Sequence, residues 1–154
     1  MSAASRVYVD TSVLAAYYCP EQLSAVVEAR LTDGSVLVLS RLVQAELAST
    51  IARKVRVSEM NANDARSALQ VHDRQVDAGV FDLVTLRDAD LRDATLWMRQ
   101  MDTSLRTLDG LHLAIAGRER LVLLTADVRF AVAAKSLGQP VELLGTDSIS
   151  DSRY

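Results

Sequence analysis

Two periodicities alternate along the chain. Short apolar runs rich in β-branched residues read as five strands: Val7-Tyr8-Val9, Val36-Leu37-Val38-Leu39, Phe81 to Leu86, Leu121-Val122-Leu123-Leu124 and Val141 to Leu144. Stretches of helical period separate them. Leu23 to Leu31 reads as a helix closed by the turn signal Asp33-Gly34. Leu42 to Val55 places Val43, Leu47, Ile51 and Val55 on one i, i+4 stripe. Asn61 reads as the N-cap of a further helix, with Asp64 at N3 suiting its positive end; this helix runs to about Val76 and stops near Gly79. Asp88 to Met101 reads as a polar-faced helix with Leu91, Ala94, Thr95 and Met98 turned inward, and Leu108 to Gly117 as a short apolar helix. Val128 to Leu137 closes with Gly138 at C′, followed by Pro140.

Strands that are apolar throughout, rather than alternating, are buried on both faces. Interleaved with helices, they predict an α/β fold with a parallel sheet covered on either side. No repeat, low-complexity tract or linker divides the chain, so residues 1–154 read as one domain, with 146–154 a frayed tail.

Composition narrows the class. Hydrophobic residues make up 49% and charged residues 24%, as in a soluble globular protein. No apolar run is long enough to cross a bilayer, and the opening Met-Ser-Ala-Ala-Ser-Arg leads straight into the first strand without a signal-peptide core. The single cysteine, Cys19, excludes an internal disulfide and suits a reducing cytoplasm. The net charge of −3 runs against the basic surplus usual in nucleic-acid binders. A phosphate-binding role must then draw its positive charge from metal ions, a local Arg/Lys patch or a second subunit.

Candidate chemistry lies with the acids. In parallel α/β sheets, ligands gather outside the carboxyl ends of the strands, where strand order reverses. Asp10 directly follows the first strand and Asp127 follows Leu123-Leu124-Thr125-Ala126. Glu46 falls in the first turn or so of the Leu42 helix, and Asp109 opens Asp-Gly-Leu-His-Leu-Ala-Ile-Ala; both helix starts should face the same edge. These four differ from the rest of the 20 acidic residues in being embedded among apolar neighbours. Gathering several carboxylates without a cation is unfavourable, and a divalent metal resolves the conflict. Mg²⁺ prefers such oxygen ligands, and no His/Cys cluster suggests zinc. Taken singly, each acid has a plainer reading. Asp10, Asp109 and Asp127 would each serve as a helix cap, and an early glutamate favours the helix dipole.

The motifs Val9-Asp10-Thr11-Ser12-Val13-Leu14, Ala45-Glu46-Leu47, Leu108-Asp109-Gly110-Leu111-His112-Leu113-Ala114 and Leu124-Thr125-Ala126-Asp127 resemble the PIN-domain family. More narrowly they are similar to the VapC-type ribonuclease toxins of VapBC toxin–antitoxin systems, in order, spacing and length. The resemblance implies a three-layer α/β/α sandwich with a five-stranded parallel sheet of order 3-2-1-4-5. It implies a Mg²⁺-dependent endoribonuclease, with Mn²⁺ as substitute, that hydrolyses RNA by metal-activated water. It implies a cytoplasmic homodimer held in a hetero-oligomer by a cognate VapB-type antitoxin. Asp10 and Asp109 correspond to the family's most consistent metal ligands; Glu46 and Asp127 complete the pocket, Asp127 acting through water. Gly110 departs from the alanine common in the family and loosens the helix start by about 1 kcal/mol.

Ser12 and Thr125, two positions from proposed ligands, carry hydroxyls suited to holding a carboxylate or a metal-bound water, or else to capping a turn. His112 reads as a packed histidine rather than a general base, and His72, in a polar helix, as exposed. Arg53, Lys54 and Arg56 form one compact basic cluster, and Arg129 follows Asp127 closely; these are the candidate RNA contacts. Tyr17, Tyr18 and Trp97 suit base or partner contacts, with core or dimer packing the plainer role for Trp97. Two other classes fit an aspartate at a strand end. One is an aspartyl-phosphate phosphatase or receiver fold, although the second acid a dehalogenase-type phosphatase carries is replaced by Ser12. The other is a catalytically inert PIN-like RNA-binding module.

Overall fold

The computed structural model of the chain describes residues 5–145. The expected frayed tail, 146–154, lies outside the described residues. The elements run β1 (Arg6–Val9), α1 (Thr11–Tyr18), α2 (Ser24–Leu31), β2 (Val36–Ser40), α3 (Arg41–Arg56), α4 (Ala62–Asp77), β3 (Phe81–Val84), α5 (Asp88–Arg99), α6 (Thr107–Arg118), β4 (Val122–Thr125), α7 (Val128–Ser136) and β5 (Val141–Leu143). All four strand pairings are parallel, in the order β3-β2-β1-β4-β5. This is the α/β/α sandwich expected. Right-handed crossovers carry α1 to α4 over one face as the chain moves outward to β3, and α5 to α7 over the other as it returns past β1.

The sheet centre accounts for the apolar runs. Tyr8, Val9, Val38, Leu39, Leu123 and Leu124 are all completely buried. The stripe on α3 packs as its period requires, with Val43, Leu47 and Ile51 sealed against the core, each worth roughly 1.5–3 kcal/mol of burial. Asn61 caps α4, its side-chain oxygen accepting from the Asp64 amide at 2.8 Å. Gly79 and Gly138 both take φ of 73°, the left-handed conformation expected after a helix end.

Three expectations need correction. The segment directly after β1 is a helix, α1, that the periodicity did not separate. It is apolar on nearly every side because Thr11, Val13, Leu14, Ala15 and Ala16 are all buried, so no stripe marks it. On α5, Leu91 and Thr95 face solvent; the inward face is Asp90 and Ala94, with Trp97 half-buried. His72 is buried rather than exposed, stacked between Tyr18 and Phe81 with its Nδ1 3.1 Å from the Tyr18 hydroxyl.

Gly110 has a packing reason. A Cβ there would lie 3.2 Å from the Ala94 Cβ and 3.4 Å from a Leu105 methyl, so its absence lets α6 lie close against α5.

What positions the site is the topological switch. β1 pairs with β2 on one side and β4 on the other, so the crevice between the carboxyl ends of β1 and β4 lies in mid-sheet. Helices α1, α3 and α7 begin there, directly after their strands, and α6, running back toward β4, begins at the same edge.

Candidate functional site

Asp10 is the first residue beyond β1 and extends its ladder, its amide donating to the Leu124 carbonyl at 2.9 Å. It occupies the N-cap position of α1, yet its side chain makes no capping bond, so the plain cap reading fails here. Its Oδ2 instead accepts from the Ser12 hydroxyl at 2.6 Å and the Thr125 hydroxyl at 2.9 Å. The Ser12 hydroxyl also ties the start of α1 to the end of β4, accepting from the Ala126 amide at 2.9 Å, and the Thr125 hydroxyl accepts from the Asp127 amide at 3.1 Å. Ser12 and Thr125 therefore both act on Asp10. Where a dehalogenase-type phosphatase would carry its second acid, this chain has a donor aimed at the first.

Glu46 is the sixth residue of α3, in its second turn, one residue deeper than a start at Leu42 would put it, because the helix starts at Arg41. Its Oε2 accepts from the Thr11 hydroxyl at 2.8 Å and closely meets the His112 Nε2. Burial pushes the Glu46 carboxyl upward, but the His112 hydrogen bond and charge, the Thr11 hydroxyl and the field of Arg106 together hold it below the usual carboxylate range. Behind it, His112 Nδ1 is 2.8 Å from the Tyr8 hydroxyl, which is in turn 2.7 Å from the Ser40 hydroxyl. Burial drives the Tyr8 phenol well above its ordinary value, against the opposing bond to Ser40, so it stays protonated. His112 is thus packed, as expected, and it braces Glu46 from inside the core.

Asp109 is the third residue of α6, whose N-cap position belongs to Arg106; the aspartate is not the cap. The Arg106 Nε donates to Asp109 Oδ2 at 3.0 Å and its Nη2 to Asp127 Oδ2 at 3.2 Å. Burial is the main influence raising the Asp109 carboxyl above the usual range; Arg106 opposes it, and the negative charges of Asp10 and Asp127 add to it. Asp127 does cap: its Oδ1 accepts from the amides of Arg129 and Phe130 at 2.9 and 3.1 Å, starting α7. Its other oxygen is left for Arg106.

A common design emerges. Asp10, Glu46 and Asp127 are each fastened through one oxygen by hydroxyl, imidazole or backbone donors. Asp10 Oδ1 and Glu46 Oε1 make no hydrogen bond among the described residues. The sole deeply buried side-chain nitrogen or oxygen without a partner among those residues is His72 Nε2, so the unengaged oxygen of Asp10, though Asp10 is largely buried, is not fully sealed from solvent. Glu46, Arg106, Thr107, Leu108 and Asp109 line a cleft of about 350 Å³ beside them. A larger cleft, about 500 Å³, lies between Tyr18 and α4, where Glu59 is paired with Lys54 and Asp64 stands next to its cap Asn61. It holds no converging acids, so the smaller cleft is the chemically relevant one.

The donor set suits a hard divalent cation: carboxylate oxygens, pre-oriented and mutually repelling, with room beside them for water and phosphate. Among the described residues no three acids or imidazoles stand close enough to ligate one ion as they are. Arg106, spanning Asp109 and Asp127, supplies the positive charge instead.

Three of the four candidate RNA contacts are not gathered with the acids. Arg53, Lys54 and Arg56 lie at the far end of α3, roughly 10–15 Å along the helix from Glu46. Lys54 is committed to Glu21 at 2.7 Å and to Glu59 at 3.5 Å. Arg129 is exposed at the start of α7 beside Asp127. Two contributors had escaped sequence reasoning. Thr11 had no signal of its own; Arg106 had one, its position three residues before Asp109.

The PIN domain model matches residues 7–136, and the chain belongs to that family. Among solved structures it is similar to the sarcin-ricin loop cleaving toxin VapC20 of Mycobacterium tuberculosis, at 17% identity and a TM-score of 0.65 over 82% of this chain and 94% of that one. It is similar to a chain of the FitAcB structure from Neisseria gonorrhoeae, at 18% identity and a TM-score of 0.62 over 88% and 95%. It is also similar to a chain of DNA-bound VapBC from Salmonella typhimurium, at 12% identity and a TM-score of 0.65 over 93% and 100%. These likenesses are of fold. No protein of curated function matches the sequence. No helix among the described residues is long and apolar enough to cross a membrane.

Proposed function

We propose that this PIN domain is a Mg²⁺-dependent endoribonuclease and the toxin of a type II toxin–antitoxin pair. The observation that carries the reading is the acid edge itself. Asp10, Glu46, Asp109 and Asp127 come from four separate elements to the switch point of the sheet, and two of them, Asp10 and Glu46, are fastened through one oxygen with the other left without a hydrogen bond among the described residues.

Asp10, Asp109 and Glu46 would hold the ion, and Asp127 would contribute through water. Bound Mg²⁺, or Mn²⁺ in its place, supplies an activated water and neutralises charge on the phosphate oxygens. Ser12 and Thr125 fix the direction of Asp10, while His112 and Thr11 fix that of Glu46 and keep it ionised. The cleft beside Arg106 admits the phosphodiester. Placing the charge of the ion at this edge also answers the net charge of −3, since phosphate attraction is then local. Arg129 stands near enough to extend this attraction along the RNA; Arg53 and Arg56 would serve only a long substrate. A cognate VapB-type antitoxin and a homodimer would complete the assembly; the antitoxin is in line with the VapBC complex from Salmonella typhimurium and the VapBC2 complex from Rickettsia felis bound to promoter DNA.

The test is cleavage of end-labelled loop-containing RNA by purified protein with Mg²⁺, comparing wild type with Asp10→Asn. Cleavage should fall by at least about 100-fold, more than loss of an outer partner costs, with the circular dichroism spectrum unchanged. Equal cleavage by the two proteins removes the assignment; RNA binding without cleavage by wild type points to an inert binding module.

A further inference from the structure

Arg106 is the feature that this nuclease reading does not use. Its guanidinium lies across the mouth of the acid cluster, one arm on Asp109 and the other on Asp127, at 3.0 and 3.2 Å. It holds the oxygen that Asp127 does not spend on α7 and one oxygen of Asp109. The same charge also reaches Asp10 and Glu46. A single side chain thus offsets part of the repulsion within the cluster.

Its mounting differs from that of the acids. Arg106 is 61% exposed and stands at the N-cap position of α6, at the end of the irregular segment 101–106. No other hydrogen bond among the described residues fixes its side chain. Swinging it into solvent uncovers no core and leaves no buried donor unmet. Asp10, Glu46 and Asp127 cannot move so freely, being held by hydroxyl, imidazole or backbone donors of their surroundings.

We propose that Arg106 is an exchangeable counter-cation: it occupies the acid cluster when no metal is bound and is displaced when a divalent ion enters. The proposal rests on the nuclease reading of the site. Metal affinity is then set by a competition within the chain, because the ion must replace a charge already satisfied. A guanidinium is well suited to this, being permanently charged, planar and weakly hydrated. The displaced side chain remains beside the cleft, where the phosphates of RNA would arrive.

Isothermal titration with Mn²⁺ separates this proposal from the reading beneath it, using wild type, Asp10→Asn, Arg106→Gln and Arg106→Lys. Melting of each protein is followed in parallel with chelator and with saturating Mn²⁺. Arg106→Gln keeps a polar side chain, though a shorter one, and removes the competing charge. It should bind Mn²⁺ about tenfold more tightly than wild type, melt lower than wild type with chelator, and gain more on Mn²⁺ addition. Arg106→Lys, with a charge that cannot span both acids, should fall between the two. Asp10→Asn should bind at least tenfold more weakly. If Arg106→Gln binds no more tightly than wild type while Asp10→Asn weakens binding, the exchange is overturned and the metal site stands. If Asp10→Asn binds as well as wild type, the metal site falls and the exchange with it.

Discussion

Two carboxylate networks in this molecule look alike on paper and are built to opposite ends. Asp90, at the third position of α5, is wholly buried, and both its oxygens are spoken for. Arg118 of α6 donates to them through Nε at 2.8 Å and Nη2 at 3.1 Å, and the Arg87 amide adds a third bond at 2.8 Å. Arg118 reaches on to the Thr85 carbonyl and to Glu119. That network is closed. At the acid edge the arginine is exposed, its two bonds go to two different acids, and oxygens of Asp10 and Glu46 remain unspent. Closure locks α5 onto α6; incompleteness leaves a place for something to bind. The distinction between a structural and a chemical carboxylate is therefore one of remaining valence rather than of burial, since Asp10 is itself only 5% exposed.

Substitutions can push on either side of this contrast. The largest effect should come from Asp10→Asn at the open network, where cleavage is lost with little change in melting temperature. The closed network should show the reverse. Asp90→Ala leaves Arg118 without its buried counter-charge and should cost about 3 kcal/mol by chemical denaturation, while activity per folded molecule holds. An Asp90 variant that lost activity at full stability would erase the distinction.

A third polar group, neither closed nor chemically open, sharpens it. His72 is sealed beneath Tyr18 and Phe81, its Nε2 lacks a partner, and burial lowers its pKa, only partly opposed by Asp73. The unfolded chain then takes up a proton at higher pH than the folded one. Stability contributed by neutral His72 is present above the ordinary histidine value of about 6.5 and is lost as pH falls from there through the lowered folded value. Denaturation midpoints should drop over that window in wild type and less so in His72→Phe. The smallest effect belongs to the seam that the closed pair clamps. Gly110→Ala gains up to about 1 kcal/mol of helix propensity but presses on Ala94 at 3.2 Å. Its net shift in melting should lie within about 1 kcal/mol of zero, whereas Gly110→Leu should destabilise clearly.

Much of this arrangement was legible in the chain. Strand positions, parallel pairing and the α3 stripe all follow from local pattern, because apolar period and burial coincide at Val43, Leu47 and Ile51. Asp10, Asp109 and Asp127 stood out because each interrupts an apolar context near an element boundary, and Glu46 because it breaks the apolar context inside α3. What escaped depends on partners distant in sequence. His72 is covered by Tyr18 from 54 residues away, and its own helix gives no hint of that lid. The α5 face was misjudged because Asp90 is drawn inward by Arg118, 28 residues later, which turns Leu91 outward. Helix α1 is the converse case: buried nearly all round, it has no polar face against which a period can be seen.

Asp127 divides its carboxylate between two tasks, one oxygen holding the first amides of α7 and the other Arg106. One carboxylate thus joins the opening turn of α7 to the cation beside the pocket, so the first amides of that helix and the Arg106 guanidinium share a single negative charge.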